Sequence, residues 1–288
     1  MNPKFSLVIG ILCISFAPIF VRFADAPPVT AAFYRMLIAL VCLAPYCFIK
    51  RNLKIDRKTF IIAIAGGILF GADIAVWNIS LTITSATISS LIANITPVWV
   101  GLLSLIFLKK RSGKLFWAGT CIAIIGIIIL AGYKTVFSIN ANLGLWLALL
   151  SSLLYAIYIL LTKSILDQVE TLTLVFYNLA GATVFLGLIC MFQQGNMLVF
   201  SGNTWLCFAG LGLICQLTGW LTITHSLRFL PSTKVSLALL ARAVIAGFWA
   251  FLLLNERLGL SEIVGSVIVL AGIALTFLKP KQSNKILN

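Results

Sequence analysis

Residues 85–111 read SATISSLIANITPVWVGLLSLIFLKKR. From Ser85 to Leu108 no side chain is charged, and the run then stops on Lys109-Lys110-Arg111. A helix needs ~20 mostly apolar residues to cross the hydrocarbon layer, so this stretch can span it. In hydrocarbon every backbone polar group must be satisfied internally, by a helix or by a closed barrel. Period-two alternation is absent, which excludes the barrel strand and leaves the helix.

The rest of the chain repeats this pattern. Of 288 residues, 61% are hydrophobic and 10% charged, so a water-soluble fold would expose more apolar surface than such folds tolerate. Apolar runs bounded by charge and turn signals predict ten spans: 5–22, 28–49, 60–79, 85–108, 114–131, 142–162, 171–191, 204–225, 231–254 and 260–278. Lys4, the following apolar run and Ala24-Asp25-Ala26 imitate a cleavable leader, but the run from Phe5 to Val21 exceeds the usual leader core and reads as the first span. The expected fold is an all-α integral membrane protein with ten transmembrane helices.

The net charge of +14 does not indicate nucleic acid, because Lys and Arg sit in short clusters between spans rather than along one face. They set topology. With a cytoplasmic N-terminus, sixteen basic residues fall inside, among them Lys50, Arg51, Lys58, Lys109, Lys110, Arg111, Lys163 and Arg228. Arg22, Lys134 and Arg257 fall outside. This asymmetry is the positive-inside signature of a chain with both termini in the cytoplasm. Nineteen of the 21 basic residues are then placed, and the remaining two, Arg35 and Arg242, lie within spans.

The chain also aligns with itself. An offset of 146 residues places Gly66 on Gly212, Gly101 on Gly247, Gly119 on Gly265 and Gly126 on Gly272; an offset near 143 places Phe33-Tyr34-Arg35 on Phe176-Tyr177-Asn178. Two halves, 1–133 and 140–280, are expected. Five spans is an odd number, so the second half enters the membrane from the opposite side and the repeats are inverted. Lys109-Lys110-Arg111, inside, corresponds to Asn255-Glu256-Arg257, outside.

These features resemble the drug/metabolite transporter superfamily, specifically its EamA-type members. The resemblance rests on Ser15-Phe16-Ala17-Pro18 with Arg22, Phe33-Tyr34-Arg35, Thr84-Ser85-Ala86-Thr87, Pro97-Val98, Asn255-Glu256-Arg257-Leu258 and Gly265 to Gly272. It covers nearly the whole chain and implies two five-helix halves and transport of small metabolites such as amino acids. Two positions depart from the family pattern: Arg242-Ala243, where a non-basic residue and a proline are common, and Lys110, where Glu is common.

Ionisable side chains at bilayer depth are costly, so each is a candidate functional group. Here they are Arg35, Asp73 and Arg242. Arg35 and Asp73 have matching depths, about seven and six residues from the outer ends of their spans, roughly 10 Å at 1.5 Å per residue. They are expected either to pair as a helix–helix link or to form a gating or ion-coupling element. Arg242, near the middle of the ninth span, is expected to grip a substrate carboxylate or phosphate; the alternative is a charge met by Asp73 or by helix carbonyls. Pro97 frees a carbonyl in the fourth span and lets it bend near Asn94, so Asn94 and Thr96 are candidate cavity residues. Trp77, Asn78, Tyr155, Tyr158 and Trp220 offer flat or hydrogen-bonding surfaces for substrate, with packing or interfacial anchoring as the alternative. His225, the single histidine, is a candidate ion-coupling residue or an interfacial one.

The seven cysteines fall in apolar runs with no Cys-x-x-Cys pair, which indicates neither a metal site nor a disulfide frame. No phosphate-binding loop is present, so no cofactor is expected. The expected function is secondary transport, with export favoured, across the inner membrane of a bacterium. The expected partners are a small-molecule substrate and the lipid bilayer, with no nucleic acid and with a coupling proton or cation left open. A lipid flippase and a non-transporting membrane protein are the alternatives. A membrane-embedded transferase would require clustered acids or histidines that this chain lacks.

Overall fold

The computed structural model describes residues 1–50, 53–84, 86–109, 111–132, 142–192, 198–254 and 259–278. Among these there is no strand, and ten helices are long and apolar enough to cross a membrane: α1 (Pro3–Phe23), α2 (Pro28–Lys50), α3 (Arg57–Ile83), α4 (Ile88–Leu108), α5 (Lys114–Ala131), α6 (Leu143–Ile165), α7 (Thr171–Phe192), α8 (Gly202–Phe229), α9 (Ser232–Leu253) and α10 (Leu260–Phe277). Large apolar side chains cover the outside of the bundle, Ile106 and Leu206 both 72% exposed. In water such a surface would aggregate; in lipid it is at no disadvantage.

Several helices run past the apolar segment because their ends are capped. The Asp56 carboxylate accepts the Thr59 amide at 3.0 Å and starts α3 at Arg57. Asn142 accepts the Leu145 amide at 3.0 Å at the start of α6. At the far end of α8, Lys163 Nζ donates to the carbonyls of Leu227 and Arg228 at 2.7 and 2.8 Å. A cation there satisfies acceptors the helix leaves open and meets its negative end.

Three helices are interrupted in mid-span: α1 at Ser15–Phe16, α4 at Asn94–Ile95 and α9 at Leu239–Leu240. Pro18 and Pro97 begin the second halves of α1 and α4. A proline supplies no amide to the carbonyl four residues back and its ring crowds that carbonyl. At the α4 break the orphaned Ala93 carbonyl is taken by Thr96 Oγ1 at 2.8 Å. The α9 break has no proline; Arg242 and Ala243 donate to Leu239 and Leu240 at 3.1 Å, a tightened turn. In α8, residues Leu211–Trp220 form a wider, π-helical segment.

The most extensive packing joins α5 to α10, followed by α3 with α6 and α7, α2 with α7 and α8, α1 with α8, and α4 with α6. The α5–α10 contact is made backbone to backbone at Gly119, Gly126, Gly265 and Gly272. A Cβ on Gly119 would lie 2.5 Å from the Gly272 carbonyl oxygen, and one on Gly265 would lie 2.5 Å from the Leu130 amide. The four glycines of the 146-residue alignment thus meet crosswise, Gly119 on Gly272 and Gly126 on Gly265, rather than each on its aligned counterpart. Several helix pairs recur when each helix is replaced by the one five places along: α1/α8 becomes α6/α3, α2/α8 becomes α7/α3, and α4/α6 becomes α9/α1, the last a much slighter contact.

Candidate functional site

Five helices turn polar and aromatic groups toward one another at the level of the breaks. α2 supplies Arg35, α3 supplies Phe70 and Asp73 with Trp77 on the same helical face, α6 supplies Ser151, Tyr155 and Tyr158, α8 supplies Gln216 and Trp220, and α9 supplies Arg242. Spacings of three and four within α3 (70, 73, 77) and within α6 (151, 155, 158) keep each set on one helical face.

Each charged group holds a neutral partner. Arg35 Nε donates to Gln216 Oε1 at 2.8 Å. Ser151 Oγ donates to Asp73 Oδ1 at 2.5 Å. The Arg242 guanidinium carbon stands 6.0 Å from the centre of the Tyr155 ring, within range of a cation–π attraction. Arg35, Asp73, Arg242 and Tyr155 all lie close enough to act on one another electrostatically. Two guanidinium groups face one carboxylate, so the cluster carries an excess positive charge in a region where water is scarce.

An aromatic group closes the N-terminal side of this cluster. Phe70 stacks on Tyr158 with ring centres 4.7 Å apart and meets Trp220 edge-on at 4.9 Å. Tyr155 lies 5.9 Å from Trp220 and 6.2 Å from Tyr158. Within it, the Tyr155 hydroxyl and the Trp220 indole N–H are buried with no hydrogen-bond partner, and so is the indole N–H of Trp77, on the same face of α3 as Phe70 and Asp73. Buried polar atoms are nearly always satisfied, so several orphans beside the charged cluster mark a place where a ligand or water belongs.

The structure thus brings together Arg35, Asp73, Arg242, Tyr155, Tyr158 and Trp220 of the residues singled out from sequence, and Trp77 lies on the same face of α3 as Asp73. The direct Arg35–Asp73 contact expected from their depths is not the one made. α2 packs chiefly on α7 and α8, and α3 on α6 and α7, so each side chain is turned to a different neighbour. Thr96 sits at the α4 break as expected, but its hydroxyl is spent on the carbonyls of Ala93 and Ser152, 2.8 and 3.3 Å away. Asn94 and Asn78 are buried, at 9% and 6% exposure. His225 lies toward the end of α8, its ring edge-on to Phe229 and Nε2 3.4 Å from the Met1 carbonyl oxygen; it is not part of the cluster. Arg51, Ser85, Lys110, Lys134, residues 255–258 and the basic residues from Lys279 onward lie outside the described residues.

Sequence reasoning passed over Phe70, Ser151 and Gln216. Gln216 carried a signal, since it is the one glutamine within a predicted span. Phe70 and Ser151 carried none, because phenylalanine and serine are ordinary in membrane helices.

The profile of the EamA-like transporter family matches residues 4–132 and again 142–278. An uncharacterized transporter of Archaeoglobus fulgidus is 26% identical, the match covering 98% of this chain and all of the relative. The uncharacterized transporter YdfC of Bacillus subtilis is 23% identical over 98% of this chain and 92% of its own. A crystal structure of a protein 15% identical in sequence superposes with a TM-score of 0.82 over 96% of each chain, a likeness of fold. With ten membrane helices and two profile matches that leave few residues uncovered, this chain belongs to the EamA-like transporter family.

Proposed function

We propose that this multi-pass membrane transporter is a secondary exporter of small organic metabolites, amino acids among them, working by alternating access. The observation that carries this reading is the position of the charged cluster. Arg242 and Thr96, equivalent under the 146-residue offset, both stand in the first turn after a break, in α9 and α4 respectively. Interrupted helices at corresponding places in two halves are where transporters of inverted-repeat design hold their substrate.

In this reading residues 1–133 and 140–280 are antiparallel halves that rock against each other about the α5–α10 contact. The exchange of helix pairs by five places supports it. The substrate carboxylate lies against Arg242 and Arg35, its ammonium group against Asp73, and its apolar part on Tyr155, Tyr158 and Trp220. Charge complementarity favours this class, because a zwitterion satisfies both signs and an acidic one also meets the excess positive charge. Both termini face the cytoplasm across a bacterial inner membrane, as the basic residues require.

The test is uptake into proteoliposomes by purified protein, with a panel of acidic, zwitterionic and neutral solutes. Arg242→Gln should lower flux of acidic and zwitterionic solutes by about tenfold or more, the loss expected for one charge-assisted contact. Unchanged flux in a variant that keeps the wild-type melting profile removes Arg242 from the substrate site.

A further inference from the structure

At the N-terminal end of the bundle a pocket of about 440 Å³ opens between the end of α2, the start of α7 and the last turns of α8. α8 carries Trp220 into the aromatic group and, over its next two turns, Leu221, Thr222, His225 and Arg228 into the wall of this pocket. Among the described residues that line it, Lys50 and Arg228 carry the strongly cationic side chains and Glu170 the one carboxylate.

Both cations are held by neutral groups. Lys50 Nζ stands 5.6 Å from the centre of the Tyr46 ring. Arg228 donates from Nη2 to the Val169 carbonyl oxygen at 3.1 Å, one use of a group with five donors. The open carbonyls at the end of α8 are served by Lys163, so Arg228 is not needed there. On the α7 side of the same wall, Thr171 Oγ1 is shielded from solvent and has no hydrogen-bond partner. Cys47, Leu172 and Leu221 give the same pocket an apolar wall.

We propose that this pocket binds a phosphate-bearing ligand, with Lys50 and Arg228 on the phosphate oxygens and the unpartnered Thr171 hydroxyl turning about its Cα–Cβ bond into the pocket to donate as well. A tetrahedral anion with several acceptor oxygens can use an ammonium, a guanidinium fork and a hydroxyl at once. The apolar wall takes the organic part of the same molecule. Topology alone places basic residues at this end of the bundle, but it requires neither a cavity between them nor a buried hydroxyl without a partner. The ligand chemistry has two sources, an anionic lipid headgroup at the membrane surface or a soluble phosphate ester.

The experiment measures binding to the full chain in detergent with three probes: dihexanoyl phosphatidylglycerol, dihexanoylglycerol, which has the same chains without the phosphate, and glycerol 3-phosphate. The phosphatidylglycerol should bind saturably and dihexanoylglycerol should not. Lys50→Gln alters an exposed side chain and should weaken binding about tenfold; Thr171→Val, which keeps the shape, should weaken it as well. Glycerol 3-phosphate binding as tightly as the lipid assigns the site to soluble esters, and binding of the lipid alone assigns it to the membrane; either supports the phosphate reading. Equal binding of the two dihexanoyl probes, or affinities untouched by both substitutions, overturns it. None of these outcomes bears on the transport site.

Discussion

A methyl group added at Gly119 tests how α5 and α10 are held together. In Gly119→Ala the new Cβ would stand 2.5 Å from the Gly272 carbonyl oxygen and 2.5 Å from Thr276 Cγ2. The first obstacle is backbone and cannot rotate away. Lengthening 2.5 Å to the 3.4 Å of ordinary contact moves α5 and α10 apart by about 0.9 Å, and the close contacts at Gly126 and Gly265 open with it. Overpacking of this kind costs about 1–3 kcal/mol, while replacing glycine by alanine in a helix returns about 1 kcal/mol. Gly247→Ala separates these terms, because a Cβ on Gly247 meets nothing within 4 Å and gains the helix term alone. The stability of the two variants, measured by thermal unfolding in detergent, should differ by the steric term, with Gly247→Ala above wild type and Gly119→Ala below it. Adding Gly272→Ala to Gly119→Ala should cost less than the sum of the single changes, since one separation of the helices relieves both clashes. Equal stability of Gly119→Ala and Gly247→Ala refutes the backbone contact.

Gln216→Leu removes the acceptor from Arg35 Nε and leaves a guanidinium donor unpaired among buried neighbours, at a cost of about 1–3 kcal/mol; Gln216→Glu keeps an acceptor and should lose less, by the same unfolding measurement. Asn142→Ala removes the side chain that accepts the Leu145 amide and should cost about 1 kcal/mol, seen as faster amide exchange in the first turn of α6. The Asp56 carboxyl is held below its usual range by hydrogen bonds from the Thr59 side chain and backbone amide. That contribution is present above the unfolded carboxyl's pKa of about 3.8 and is lost as pH falls through the lower folded value. Asp56→Asn keeps a cap without the titration, so its unfolding should depend less on pH in that acid window.

How much of this could be read without coordinates varies residue by residue. The α4 break was legible because Pro97 removes a specific hydrogen bond; its counterpart at Leu239–Leu240 has no such residue and emerged only from the structure. Arg35, Asp73 and Arg242 announced themselves because an ionisable group in an apolar run has few cheap explanations. Their partners did not, because which neighbour a side chain meets depends on the rotation of its helix and on which helix packs against it. That is why Arg35 reaches Gln216, 181 residues away, and not Asp73 on the next helix.

The ten spans and their apolar character were decided by the sequence itself, because satisfying the backbone in hydrocarbon is a local demand that each run of residues meets alone. The positive charges at span ends were equally legible, since they are counted rather than folded. Only the tertiary structure decided that Gly119 meets Gly272 and Gly126 meets Gly265 along α5 and α10, that Thr96 spends its hydroxyl on backbone, and that Phe70 joins Tyr158 and Trp220 beneath the charged cluster. Those outcomes follow from helix-on-helix packing, in which small residues and polar contacts between distant segments choose the partners.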